Sequence, residues 1–358
     1  MDDPEVAPGL KFQQIADRLR AEILDGTRPS ASRLPTEREL SVGYSVSIST
    51  VRRAVDDLVT EGLVRRRQGA GTFVRGGEPE HTRPALLGVI VPHSTFYYPQ
   101  ILRGIEDVRA ETGARIQLAC SEYSQDIEAK LIREMLAADV DGLLIAPTLT
   151  GPEPTESYLR RLTELPVPVV LMERRGNALN DETEHVCTHH AAGAYQAVQY
   201  LAALGHRRIG LALRSPSPTA EPVALGYRRA IAELGGSTTV FQKALEEWGP
   251  ATADNCLRRL LAAGCTAALC FGDRQAGLLV SAARRSGLAV PDDLALVAYD
   301  DEIADIPDVP LTAVAPPKRL LGRTAAELLL QRLQQPGLAR RQILLRPEIT
   351  IRKSCGAA

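Results

Sequence analysis

The chain has 358 residues, a formal net charge of −2, 44% hydrophobic residues and 24% charged ones. This length suits two or three domains with sizeable cores, and the near-zero net charge excludes a uniformly basic nucleic-acid binder. No apolar run reaches the roughly 18–20 residues that cross a bilayer, and the six cysteines are scattered without a C-x-x-C pair, as reduced thiols would be.

The opening MDDPEV is acidic and lacks an apolar stretch, so no secretory signal is read there and a cytoplasmic location is expected. Charge is unevenly spread beyond it. Between Arg28 and Arg75, nine arginines stand against five acids, and the rest of the chain is acidic. Within this basic segment Thr36 and Glu39 form a T-x-x-E capping box that opens a helix. Gly43-Tyr44-Ser45 breaks that helix, and Ser47 can cap the next. Val51, Ala54, Val55, Leu58 and Val59 then share one face at helical spacing, while Ser49 and Arg53, flanked by Thr50 and Arg52, share the other. Gly62 ends the helix, Arg65-Arg66-Arg67 extend from it, and Gly69 and Gly71 allow a sharp reversal before Thr72-Phe73-Val74. A helix, a turn, a second helix and a basic hairpin make a winged helix-turn-helix, sized for the DNA major groove. The competing reading makes Arg52 and Arg53 ordinary surface ion-pair partners of Asp56 and Asp57, four residues on.

Residues 10–75, including the early run Phe12-Gln13-Gln14-Ile15-Ala16-Asp17-Arg18-Leu19-Arg20, resemble the DNA-binding domain of the GntR family of bacterial transcription regulators. The resemblance implies that Arg38, Ser47, Ser49, Thr50 and Arg52 meet DNA together with the hairpin tip Gln68, Gly69 and Gly71; Arg53 and Arg67 join them from the basic face. Where the family often has Arg, this chain has Ile48.

Residues 77–84 read as a Gly/Pro/charged linker between a DNA-binding domain at 1–76 and a larger domain at 85–358. In the larger part short apolar runs alternate with amphipathic helices: 86–92, 115–120, 142–147 and 168–173, then 208–213, 239–244, 267–272 and 294–299. Near-continuous apolar strands separated by helices mean parallel sheets covered on both faces, so two doubly wound α/β lobes are expected. Such lobes bind ligands at the carboxyl ends of their strands, and a cleft between lobes is a favoured small-molecule site.

This segment resembles the effector-binding half of the LacI/GalR regulators, a two-lobed fold of the periplasmic-binding-protein-like type I. The matches are Leu102-Arg103-Gly104-Ile105-Glu106, Val140-Asp141-Gly142, Leu204-Gly205-His206-Arg207-Arg208-Ile209, Val297-Ala298-Tyr299-Asp300-Asp301 and Pro310-Leu311-Thr312-Ala313-Val314. The resemblance implies a first lobe at about 85–187 and 312–335, a second at about 188–311 and 336–358, and three crossings between them. It also implies a ligand pocket containing Tyr97, Tyr98, Glu173, Arg174, Trp248 and Asp300. Aromatic faces suit the C–H face of a sugar, and the charged groups suit vicinal hydroxyls. For Trp248 the alternative is core packing, and for Glu173–Arg174 a local surface salt bridge. Relatives that bind sugars often carry Arg, Asn, Gln and Asn where this chain has Val223, Gly272, Pro316 and His190, so a changed ligand chemistry is expected.

The expected function is a ligand-responsive transcription regulator, with repression as the sign, that binds a near-palindromic DNA operator as a homodimer and answers a sugar or sugar-like effector. The competing class is a winged helix fused to an enzyme-like domain acting on a small metabolite. A pyridoxal-phosphate domain needs a Schiff-base lysine, and none of Lys11, Lys130, Lys243, Lys318 and Lys353 sits in a recognisable cofactor motif. With no G-x-S-x-G, Walker or H-E-x-x-H motif either, neither enzyme activity nor a cofactor is expected. His189-His190 suggests a metal, but spacing supplies no third ligand.

Overall fold

The computed structural model describes residues 8–29, 32–67, 71–74, 83–176 and 180–356. The chain divides into two compact units, Met1–Arg83 and Pro84–Ala358. Most of the segment read as a linker falls outside the described residues.

The first unit contains α1 (Pro8–Leu24), α2 (Glu37–Gly43), α3 (Ile48–Thr60) and a hairpin of β1 (Val64–Arg67) and β2 (Gly71–Val74). Both halves of the capping box form: Glu39 N donates to Thr36 Oγ1 at 3.2 Å, and Thr36 N to Glu39 Oε2 at 2.7 Å. Val51, Ala54, Val55 and Leu58 of α3 are buried with Phe12, Ile15 and Leu19 of α1 and Leu40 of α2. The hairpin pairs Val64 with Val74 through Arg67 with Gly71. Residues 32–34 add a short third edge, with Leu34 N donating to Thr72 O and Val74 N to Ser32 O.

The second unit begins with β3 (Leu86–Val91), α4 (Tyr98–Thr112), β4 (Arg115–Cys120), α5 (Gln125–Ala137), β5 (Gly142–Ile145), α6 (Thr155–Thr163), β6 (Val169–Met172) and β7 (Glu184–Thr188). There follow α7 (His190–Ala203), β8 (Ile209–Arg214), α8 (Ala220–Glu233), β9 (Thr239–Lys243), α9 (Pro250–Ala262), β10 (Ala267–Cys270), α10 (Asp273–Arg285), β11 (Ala295–Tyr299) and β12 (Thr312–Ala315). The chain closes with α11 (Lys318–Gln334), β13 (Gln342–Leu345) and β14 (Glu348–Thr350). Two six-stranded sheets result, ordered β13-β7-β6-β5-β3-β4 and β14-β12-β11-β10-β8-β9. All neighbours are parallel except the β12–β14 pair. In the first lobe α4 and α11 cover one face, through Ile101, Ile105, Leu321 and Leu329, and α5 and α6 the other, through Ile132, Met135, Tyr158 and Leu162. In the second lobe α7 and α8 lie opposite α9 and α10. Among the described residues no helix is long and apolar enough to cross a membrane.

The sheets correct the lobe boundaries expected from sequence. Residues 312–315 belong to the second lobe, because Thr312 pairs with Val297 and extends that sheet by one parallel strand. Residues 342–345 belong to the first lobe, where Gln342 pairs with His185. The later crossings therefore lie at Pro316-Pro317 and Arg346-Pro347, where proline cannot continue a ladder. Strand β7 escaped the sequence reading because polar residues are buried in it. Glu184 is held by Arg332 at 3.0 and 3.1 Å, and burial pushes the His185 pKa down to about 4.

Helices α4 and α11 meet backbone to backbone. A Cβ on Gly104 would lie 1.9 Å from Arg319 O, and one on Gly322 2.0 Å from Ile101 O. Bidentate pairs of Arg319 with Asp107 and Arg323 with Glu111 flank this contact. Gly104→Ala should lower stability by about 1–3 kcal/mol or more, since rigid backbone must move; urea unfolding of the two proteins measures it.

Candidate functional site

In the first unit the sequence brings a set of polar groups to the start of α3. Ser47 caps the helix by accepting from Thr50 N at 3.2 Å, and its hydroxyl lies 2.8 Å from that of Ser49 and 2.7 Å from that of Thr50. A helix N-terminus ringed with hydroxyls suits a phosphate. A groove of about 780 Å³ beside it is lined by Arg33, Arg38, Ile48, Arg52, Arg66 and Gly71 among others. Glu37 holds Arg52 at 2.9 Å and Arg66 at 3.2 Å, so one carboxylate sets two guanidiniums side by side. Gly71 carries a φ of 114°, which a side chain rarely adopts. Arg53 does not join the groove: its guanidinium lies over the Phe12 ring of α1, 4.1 Å from the centroid. Arg67 closes β1, and Gln68 and Gly69 lie outside the described residues. Arg33 and Arg66 are additions from the structure, the first because residues 32–34 join the hairpin edge.

In the second unit the candidate pocket lies at the carboxyl ends of the strands. Left-handed backbone marks it: Phe96, Glu122, Tyr123, Glu173, Asp300 and Asp301 all have φ between 51° and 95° and follow β3, β4, β6 and β11. Non-glycine residues held there store strain that the surrounding structure must offset, and functional sites collect such residues.

Glu173 is buried and makes four contacts with three residues. Tyr97 Oη donates to Oε1 at 2.6 Å, and Thr188 Oγ1 and N donate to Oε2 at 2.9 and 3.3 Å. His190 Nε2 lies 2.7 Å from Oε1. Burial works against the charged form, but the His190 charge and these hydrogen bonds hold the carboxyl pKa below its ordinary value. His190 Nδ1 is 3.2 Å from Tyr299 Oη at the end of β11. The first crossing is thus tied to both lobes, and Glu173 is no surface salt bridge.

Arg174 points elsewhere. It donates to Pro147 O at 3.2 Å and lies over the Tyr123 ring, 4.9 Å from the centroid. Tyr123 Oη is 3.1 Å from His93 Nε2, and the His93 ring stands edge-on to Tyr98 at 5.3 Å. Burial, then the charges of Arg174 and Arg214, push the His93 pKa down. From the second lobe Arg214 lies over Phe271, 4.9 Å from the centroid, with Asp300 Oδ2 at 3.9 Å. Lys318 donates to Asp300 O, pairs with Glu302 and sits 5.1 Å from the Tyr97 ring centroid.

Trp248 corrects the sequence reading. It is only 4% exposed and belongs to the core cluster shared by β9, α9 and α10, edge-on to Phe241 at 5.8 Å. A large apolar ring beside Phe241 gains more from burial there than at an open rim, although its Nε1 finds no hydrogen-bond partner. The sequence reading placed His93 in a strand-end loop without assigning it to the pocket, and it passed over Tyr123, Arg214 and Lys318. Tyr123 and Arg214 also fall in or beside strand-end loops, but only the tertiary contacts distinguish them from other polar loop residues.

Two family models match the chain. One described as bacterial regulatory proteins, gntR family, covers residues 11–74, and one for a periplasmic binding protein-like domain covers residues 198–355. The arabinose metabolism transcriptional repressor of Geobacillus stearothermophilus is 30% identical over 96% of this chain and 97% of its own length. The chain belongs to the GntR family of bacterial transcription regulators. Among solved structures, the transcription regulator GntR from Chromobacterium violaceum matches with a TM-score of 0.62 and 26% identity, over 76% of this chain and 100% of that one. The regulator CcpA of Lactococcus lactis matches with a TM-score of 0.64 and 25% identity, over 76% and 99%. This GntR-family protein is therefore a DNA-binding transcriptional repressor, not an enzyme, with a LacI-type effector domain.

One buried acid of the first lobe gives a clear pH signature. Glu128 Oε2 accepts from Thr148 N at 3.0 Å and Oγ1 at 2.8 Å, while burial pushes its pKa up to about 7. A carboxyl raised from 4.5 on folding holds a proton that the unfolded chain has released. Its stabilisation is therefore present at low pH and lost as pH rises through about 7. Asp273, raised to about 6, acts with the same sign. Glu128→Gln should flatten the fall in melting temperature between about pH 5 and pH 8, and melts across that range read the slope.

Proposed function

We propose that this repressor binds a near-palindromic operator as a homodimer and is released by a small polyhydroxylated effector held between its two lobes. Residues 1–76 serve as the DNA reader and 85–358 as the sensor. The observation that carries the reading is the bridge that Lys318 makes between the Tyr97 ring of one lobe and Asp300 O of the other, with the charges of both Arg174 and Arg214 acting on His93 beside it. The relative named for arabinose metabolism supports a sugar-like ligand. Closing the cleft favours one lobe orientation, and a ligand bound better in that state shifts the equilibrium.

On the DNA side, Arg52 and Arg66 are themselves exposed and pair with the half-buried Glu37 and the exposed Asp56, and pairs at such a surface are weak enough for phosphates to replace. Arg38 and Arg52 would contact the backbone or base edges, and Ser47, Ser49 and Thr50 would position the helix. Arg67, Gln68 and Gly69 would reach DNA from the hairpin tip. Operator affinity should fall steeply with salt, and Arg52→Ala should weaken binding and reduce the log–log salt slope by about 1. Fluorescence anisotropy on an operator duplex at several salt concentrations makes the comparison; salt-independent binding would sink the proposed basic face.

For the sensor, an effector that binds the folded state raises the melting temperature in proportion to the logarithm of its concentration. Asp300→Asn should lose most of that shift while leaving DNA affinity in the absence of effector unchanged. Paired thermal-shift and anisotropy titrations test both halves, and an undiminished shift in the variant would remove Asp300 from the pocket.

A further inference from the structure

We propose that the ligand of this cleft carries an acidic group, a carboxylate or a phosphate, that seats between Arg174 and Arg214. The inference rests on the reading of the cleft as the effector site and specifies its chemistry.

The starting point is a guanidinium held by neutral groups. Arg174 is 9% exposed, and its direct contacts are Pro147 O and Tyr123, which meets it with its ring face and in a side-chain hydrogen bond. Among the described residues no carboxylate lies within ion-pair distance of it. The adjacent Glu173 is turned to Tyr97, Thr188 and His190. Glu128 spends one oxygen on Thr148 and leaves the other without a partner. The chain treats another buried guanidinium differently: Arg332, with a side chain 11% exposed, is gripped by both oxygens of Glu184 and by three carbonyls. A buried charge without a directly paired counter-ion is unfavourable, so Arg174, held by hydrogen bonds and a ring face but by no carboxylate, marks a place where an anion arrives from outside.

The opposite wall repeats the pattern. Arg214 stacks on Phe271, and its nearest acid, Asp300, stays at 3.9 Å, beyond hydrogen-bonding reach. The other acids near Asp300 are already engaged: Asp301 with Arg352 at 2.7 Å, Glu302 with Lys318, and Asp273 with the backbone N–H groups of Glu302 and Ile303. Both guanidiniums act on the same two side chains, His93 and Tyr98. Two arginines sharing less than one carboxylate leave excess positive charge, and a guanidinium fork matches a carboxylate or phosphate in geometry as well as charge. A neutral saccharide would satisfy some donors and leave both charges unanswered. The acid end of the ligand sits between the arginines, and its hydroxyls face Asp300.

The test uses full-length protein and sets of matched ligands with one carbon skeleton each: the neutral aldose, its uronic acid, its aldonic acid and its phosphate ester, with inorganic phosphate alone as a further arm. Thermal shift and calorimetric titration should show an acidic member binding at least about 100-fold more tightly than its neutral parent, the scale of a lost charged contact. Carboxylate and phosphate members distinguish the two sources of charge. Arg214→Gln, on the more exposed wall, should erase most of that preference, and Arg174→Gln should do the same where circular dichroism shows it folded. Neutral sugars binding as tightly as their acids, or an acid preference that survives Arg214→Gln, overturns the proposal while the effector cleft stands. Binding of inorganic phosphate alone with equal affinity identifies an adventitious ion only and also overturns it. If no member of any set shifts the protein, both the acid proposal and the sugar-like effector reading fall.

Discussion

The Glu173 carboxylate is the constraint on which the two-lobed unit is built. A charge removed from water persists only where several partners answer it, and here the partners come from separate elements: Tyr97 at the start of α4, Thr188 at the end of β7 and His190 at the start of α7. His190 passes the connection to Tyr299 at the end of β11. One buried carboxylate thereby fixes where the chain leaves the first lobe and enters the second. The second crossing converges on the same place, because Lys318 follows Pro316-Pro317 and reaches Asp300, Glu302 and the Tyr97 ring. The left-handed backbone at Glu173 and Asp300 follows from this arrangement, since each must turn its side chain or carbonyl towards the crossing.

The rest of the second unit is hydrophobic layering that holds those few polar groups in register. Each parallel sheet is covered on both faces, and the helix pairs approach closely at glycine: α4 with α11 at Gly104 and Gly322, α7 with α8 at Gly226 against Ala191 O. Packing of this kind is stiff. Polar side chains therefore concentrate at the strand ends, where backbone cannot be satisfied by the ladder and side chains such as Glu128, Asp273 and Arg174 face inwards.

The first unit uses charge in the opposite way. Its arginines beside α3 are exposed and share acids at the surface, with Glu37 serving both Arg52 and Arg66 and Asp56 serving Arg66 again. Pairs in high dielectric are worth little and exchange readily, which suits a surface that must trade carboxylates for phosphates. Arg53 shows the limit of reading charge from a helical wheel: a guanidinium one position along α3 finds the Phe12 face and packs on it.

The sequence alone determined what local physics controls. The capping box at Thr36 and Glu39, the Ser47 cap, the apolar face of α3 and the glycine-bearing hairpin are each encoded within a few residues, and the apolar strand runs encode two parallel sheets. Tertiary structure alone decided what distant residues do to one another. It moved β12 and β13 between lobes because strand pairing is a contest among sheet edges, and it hid β7 because Arg332, almost 150 positions away, neutralises Glu184. Trp248 went to the core and Arg214 to the Phe271 ring beside Asp300 for the same reason. A side chain's local sequence specifies its chemistry, but burial and the charge opposite it are set by segments far along the chain.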